Sequence, residues 1–164
     1  MNKLRVFWGR IFYFTFQIFI GAGEYLIQRP LRFLFEKINT NQKKRAEINR
    51  ATAKVLNDRE FGFRIRFASI FMTYIMFFIL SSIVLIFSYL IGFDLKSKRV
   101  DYFLYAIVGI SYLIHYLAVI KNDYYITFFN QLSSLESNRN GILGSIFFHF
   151  IVISIFVFLM KLVF

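Results

Sequence analysis

Two histidines are the side chains best suited to chemistry in this chain, and both fall inside long apolar runs. His115 stands six residues before Lys121, and His149 stands eight residues after Gly141. If the two runs form antiparallel helices, the imidazoles reach similar depths, about 9 and about 12 Å from the same boundary. Each has a serine one turn earlier, Ser111 or Ser145, and a small residue nearby, Ala118 or Gly144. Each helix therefore carries a polar stripe suited to protein contact. Ionisable groups at such depth are functional candidates. Neutral imidazoles can ligate a b-type haem axially, hydrogen-bond a quinone, line a proton path, or tie helices together. The structural role carries the most weight, because two histidines alone are not a specific motif.

Other chemistry is poorly provided for. The chain has no Cys, which excludes disulfides, thiolate nucleophiles, zinc–thiolate sites and iron–sulfur clusters together. Nucleophile-elbow, Walker-A, dinucleotide-binding and HExxH patterns are absent. No catalytic residue and no metal ligand set is assigned. Scattered polar groups without inverted repeats do not define a transporter pathway.

The elements holding these residues are membrane helices. Hydrophobic residues make up 58% of the 164, more than a soluble domain of this size can bury. Residues 67–93 run without a charge and exceed the roughly 30 Å hydrocarbon thickness at helical rise. Residues 102–120 and 142–160 are the next two spans, with 94–101 and 121–141 read as short polar loops. The expected fold is all-α, an integral membrane helical bundle of three transmembrane helices plus an N-terminal hydrophobic helix. It divides into that helix (1–28), a basic amphipathic segment (29–66) and a three-helix bundle (67–164).

The N-terminal helix has two readings. Arg10, Gln17, Glu24 and Gln28 fall on one narrow stripe, at spacings of seven, seven and four. A thin stripe along almost a bilayer thickness favours a spanning helix turned toward a protein partner, and Glu24 is expected to meet a cation or donor there. Lys3, Arg5 and Arg10 ahead of it favour a helix lying in the interface. A cleaved signal peptide ending near Gly21-Ala22-Gly23 is a third reading, and the segment is expected to be retained. Pro30 makes a natural stop.

The net charge of +11 raises nucleic acid as a ligand, but most cations sit between apolar helices, so none is expected. Residues 29–66 hold 11 Lys/Arg against four acids. Residues 41–58 read as a weakly amphipathic helix near anionic lipid headgroups or as a partner-docking surface. Putting 29–66 and 121–141 on one side collects 13 Lys/Arg there, against four opposite, which makes that side the cytoplasm or mitochondrial matrix.

Residues 67–164 resemble the small membrane-anchor subunit of succinate dehydrogenase (respiratory complex II). The resemblance rests on three spans behind a basic inner region, His115 in the middle span, and the acid–aromatic pair Asp123-Tyr124 at that span's inner end. It implies haem b on His115, a quinone pocket beside Asp123 and Tyr124, and a mitochondrial inner or bacterial cytoplasmic membrane. The expected function is then a non-catalytic membrane subunit of a respiratory or other energy-converting electron-transport complex, whose partners are other membrane subunits. A stand-alone small transporter or channel, or a b-type haem electron carrier, is the competing expectation.

Overall fold

In the computed structural model, residues 3–30, 33–34, 44, 46–48, 50–52, 63–92, 100–133 and 139–163 are described. Most of the basic segment lies outside them; within the helix expected at 41–58, the described residues 44, 46–48 and 50–52 are helical. Every element among the described residues is helical. That is the solution lipid demands, since a helix satisfies its backbone donors and acceptors internally.

Among the described residues, three helices are long and apolar enough to cross a membrane, so the protein is an integral membrane protein. The first is α2 (Phe63–Ile91). It contains no Gly or Pro to interrupt it, and it ends where Gly92 turns left-handed at φ +69°. The Gly92 N–H caps the Tyr89 carbonyl at 3.4 Å, a conformation that glycine adopts without a Cβ clash. Another crossing is α5 (Arg139–Val163).

The middle span differs from the expected one. α3 (Val100–His115) continues through a π-helical turn, Tyr116–Ile120, and a 3₁₀ turn, Lys121–Asp123. Asn122 and Asp123 have φ of 61° and 53°, so the chain kinks sharply and resumes as α4 (Tyr124–Ser133). The segment 121–141, expected as a polar loop, thus contains a ten-residue helix. Tyr125, Phe128, Phe129 and Leu132 recur at i, i+3, i+4 and i+7 and are all buried. They form the apolar stripe of a helix that packs on a neighbour.

That neighbour is α1 (Lys3–Gly23), the hub of the bundle. It packs against α2, α4, α5 and the π turn after α3. Between Trp8 and Phe16 only Arg10 and Phe14 escape full burial. α1 runs antiparallel beside α2. Its Phe19 lies 6.4 and 5.8 Å from Phe67 and Phe71, and Thr15 meets the Met72 sulfur at 3.5 Å. Aromatic rings fill the α1–α4 seam, where Phe129 stacks on Phe16 at 5.0 Å and meets Tyr13 edge-on at 5.2 Å. Phe128 lies over Gly9, where a Cβ would come within 2.7 Å of the ring. The least apolar of the four long helices is therefore the most enclosed.

Candidate functional site

Both histidines point into the bundle, and both are met by α1. His115 is wholly buried and His149 nearly so. The Trp8 indole N–H donates to His115 Nδ1 at 3.2 Å, and His115 Nε2 lies 3.0 Å from Ser69 Oγ on α2. Indole nitrogen can only donate, so His115 Nδ1 is the acceptor and its proton sits on Nε2, where it donates to Ser69. Phe12 closes over the ring edge-on at 5.3 Å.

Two turns along α1, Thr15 performs the matching task. Its hydroxyl donates to the Ile11 carbonyl at 2.8 Å, the shortest of its contacts. A hydroxyl has one proton and two lone pairs, so Thr15 accepts from Ser145 Oγ and from His149 Nε2, each at 3.3 Å. His149 is thereby held in the same tautomer, with Phe71 and Phe148 edge-on at 5.1 and 5.8 Å. Ser111, the other serine one turn before a histidine, bonds instead to its own Ile107 carbonyl at 2.6 Å.

This arrangement limits the chemistry available. With Nε2 protonated in both rings and His115 Nδ1 accepting from Trp8, axial ligation through Nε2 of either ring, or through His115 Nδ1, would first require these bonds to break. The Trp8–His115–Ser69 line runs between two grooves. Trp8 borders one of about 720 Å³ and Ser69 borders one of about 340 Å³. An indole N–H does not pass a proton onward, so the line joins the grooves mechanically and not as a proton wire. Among the described residues, no cluster of three His, Cys, Asp or Glu could hold a metal ion.

The Asp123-Tyr124 pair sits at the kink. Asp123 is exposed, while the Tyr124 ring lies beneath the Arg5 guanidinium, 3.5 Å from its centroid. Arg5 also donates to the Ala118 and Leu117 carbonyls at 2.7 and 2.9 Å. These are carbonyls that the end of the helix leaves without intrahelical donors. A cation from α1 thus caps the π turn that ends the helix begun by α3. Compared with known protein families, characterised proteins and solved structures, the chain matches none.

The stripe expected to face a partner lies mainly away from the α1 core. Arg10 and Glu24 are exposed, and Gln17 and Gln28 are half-buried. Glu24 attracts Arg64 of α2 electrostatically. Sequence reasoning passed over Trp8, Thr15, Ser69 and Arg5. The only signal for Trp8 and Thr15 is their seven-residue spacing, which puts both on one helix face.

Proposed function

We propose that the protein is a non-catalytic integral membrane subunit of a larger membrane assembly. The observation that carries this reading is a division of polar groups on α1. Its inward polar groups are engaged in holding helices together, through Trp8 to His115 and Thr15 to Ser145 and His149. Its remaining charged groups, Lys3 and Arg10, are exposed, while Glu24 in the π turn that follows meets Arg64 of α2 electrostatically. An unpaired charge facing hydrocarbon costs several kcal/mol, so the side of α1 that carries Arg10 suits a protein neighbour. The finer reading, a respiratory or other energy-converting complex with the basic segment on the cytoplasmic or matrix side, rests on the resemblance of residues 67–164 to a complex II anchor and on charge asymmetry.

Extraction of the protein from its own membrane in mild detergent tests the proposal. The expected result is a partner co-eluting at fixed stoichiometry through two orthogonal columns. A lone, monodisperse protein would overturn it. A reduced-minus-oxidised spectrum of the same preparation reports separately on haem, since a b-type band that is lost in His115→Ala would show that the His115 bonds described above are replaced by iron.

A further inference from the structure

α3 and the start of the π turn after it show two different stripes on their outward side. Phe103, Ala106, Ile110, Leu113 and Leu117 form one, and Tyr102, Tyr105, Gly109, Tyr112 and Tyr116 form the other. Both are exposed in the chain, with Leu113 at 53% and Tyr112 at 56%. The first stripe is purely apolar and suits acyl chains. In the second, tyrosine or glycine recurs every three then four residues. A period of 3.5 is the seam along which two helices coil around each other.

Lipid does not explain the tyrosine stripe. Tyrosines collect at the two membrane interfaces, which accounts for Tyr102 and Tyr105 at one end and Tyr116 near the other. Tyr112 stands near mid-span, about 15 Å from Tyr102 and about 12 Å from Ile120 at helical rise. A hydroxyl there without a partner is costly in hydrocarbon. Among the described residues, none of the four hydroxyls has a hydrogen-bond partner. Interfacial anchoring also gives no reason for all four to share one face. Tyr112 and Tyr116 are stacked, with centroids 6.3 Å apart and planes at 20°, so their rings lie together on this face. At its centre, a Cβ on Gly109 would touch nothing within 4 Å. The chain's own packing does not need glycine there, whereas close approach of a second helix does.

The stripe's chemistry selects the occupant. Every polar group in it is a phenol, both donor and acceptor, and it carries no charge to repel an identical surface. A two-fold interface requires such self-complementarity. We propose that two copies of this chain pair in the membrane through α3, in parallel, with Gly109 against Gly109 at the crossing and the tyrosine hydroxyls bonded across the seam.

The absence of native cysteine makes the test direct. Single variants Tyr105→Cys, Ala106→Cys, Gly109→Cys, Ile110→Cys, Tyr112→Cys and Leu113→Cys are made in the full chain and oxidised in membranes with copper phenanthroline. Disulfide-linked dimers are expected at 105 and 112 at about tenfold the yield at 106, 110 and 113, with little at 109, where the added side chain holds the helices apart. As a second readout, Gly109→Ile is expected to weaken self-association about tenfold without lowering the melting temperature of the monomer. Uniform yields, a maximum on the apolar stripe, no dimer at any position, or adducts of another mass would each overturn the proposal.

Discussion

Trp8 and His115, separated by 107 positions in the chain, are joined by a buried 3.2 Å hydrogen bond from indole to imidazole. Because the indole can only donate, this contact fixes the imidazole tautomer and makes a candidate cofactor-binding group a fastener between helices. Replacing Trp8 by Phe keeps the ring and leaves His115 Nδ1 without its donor. Loss of a donor to a buried acceptor costs about 1–3 kcal/mol. A double-mutant cycle of Trp8→Phe with His115→Leu, read from reversible unfolding in detergent micelles, is expected to give a coupling of about 0.6 kcal/mol or somewhat more. Zero coupling would mean the two residues do not interact. Nitrogen-15 chemical shifts of His115 are expected to show the proton on Nε2.

Thr15 is the second fastener, and it has a near-isosteric control. Thr15→Val removes both acceptor lone pairs that hold Ser145 and His149, while Thr15→Ser retains them. The valine variant is expected to be less stable than the serine variant by about 1 kcal/mol. Equal melting temperatures would show that the hydroxyl is dispensable.

Close approach of α4 to α1 depends on Gly9. An alanine Cβ at that position would meet the Phe128 ring at 2.7 Å, and Phe128 is buried at 3% exposure. The ring cannot swing into solvent, so Gly9→Ala is expected to cost about 1–3 kcal/mol by overpacking. Gly144→Ala is the control, since a Cβ there meets nothing within 4 Å. Thermal melts of the two variants provide the comparison.

The kink can be tested at Asn122. Its φ of 61° is a left-handed conformation that Gly and Asn tolerate and β-branched residues do not. Asn122→Gly is expected to leave stability unchanged or raised, whereas Asn122→Val is expected to cost about 1–3 kcal/mol. If valine behaves like glycine in thermal melts, the chain does not turn there.

Much of this architecture was legible in the residues, for a physical reason. Hydrocarbon demands long charge-free helices, so residues 67–93 and 142–160 announced α2 and α5 within a few residues of their ends. α4 was missed because Lys121, Asn122 and Asp123 at its start read as a polar loop. The signal was present in Tyr125, Phe128, Phe129 and Leu132, which keep helical spacing through the supposed loop. The role of α1 was harder to read. Its polar stripe drew attention outward, while its buried face of Trp8, Phe12, Thr15 and Phe16 is no more apolar than the rest. Aromatic residues in a membrane chain suit lipid and protein equally, so hydropathy does not separate the two faces. The histidines were recognisable as buried polar groups, but their partners lay 46 to 134 positions away, beyond any local pattern.

The most direct measurement compares partner retention with stability in two variants. Arg10→Ala/Gln17→Ala alters the outward side of α1, and Thr15→Val alters the inward side. Native mass spectrometry of the detergent-extracted assembly, paired with a thermal melt, reads both quantities. The account predicts that the outward double variant loses its partner at an unchanged melting temperature, and that Thr15→Val lowers the melting temperature. An outward variant that keeps its partner, or a wild-type protein that never had one, would contradict it.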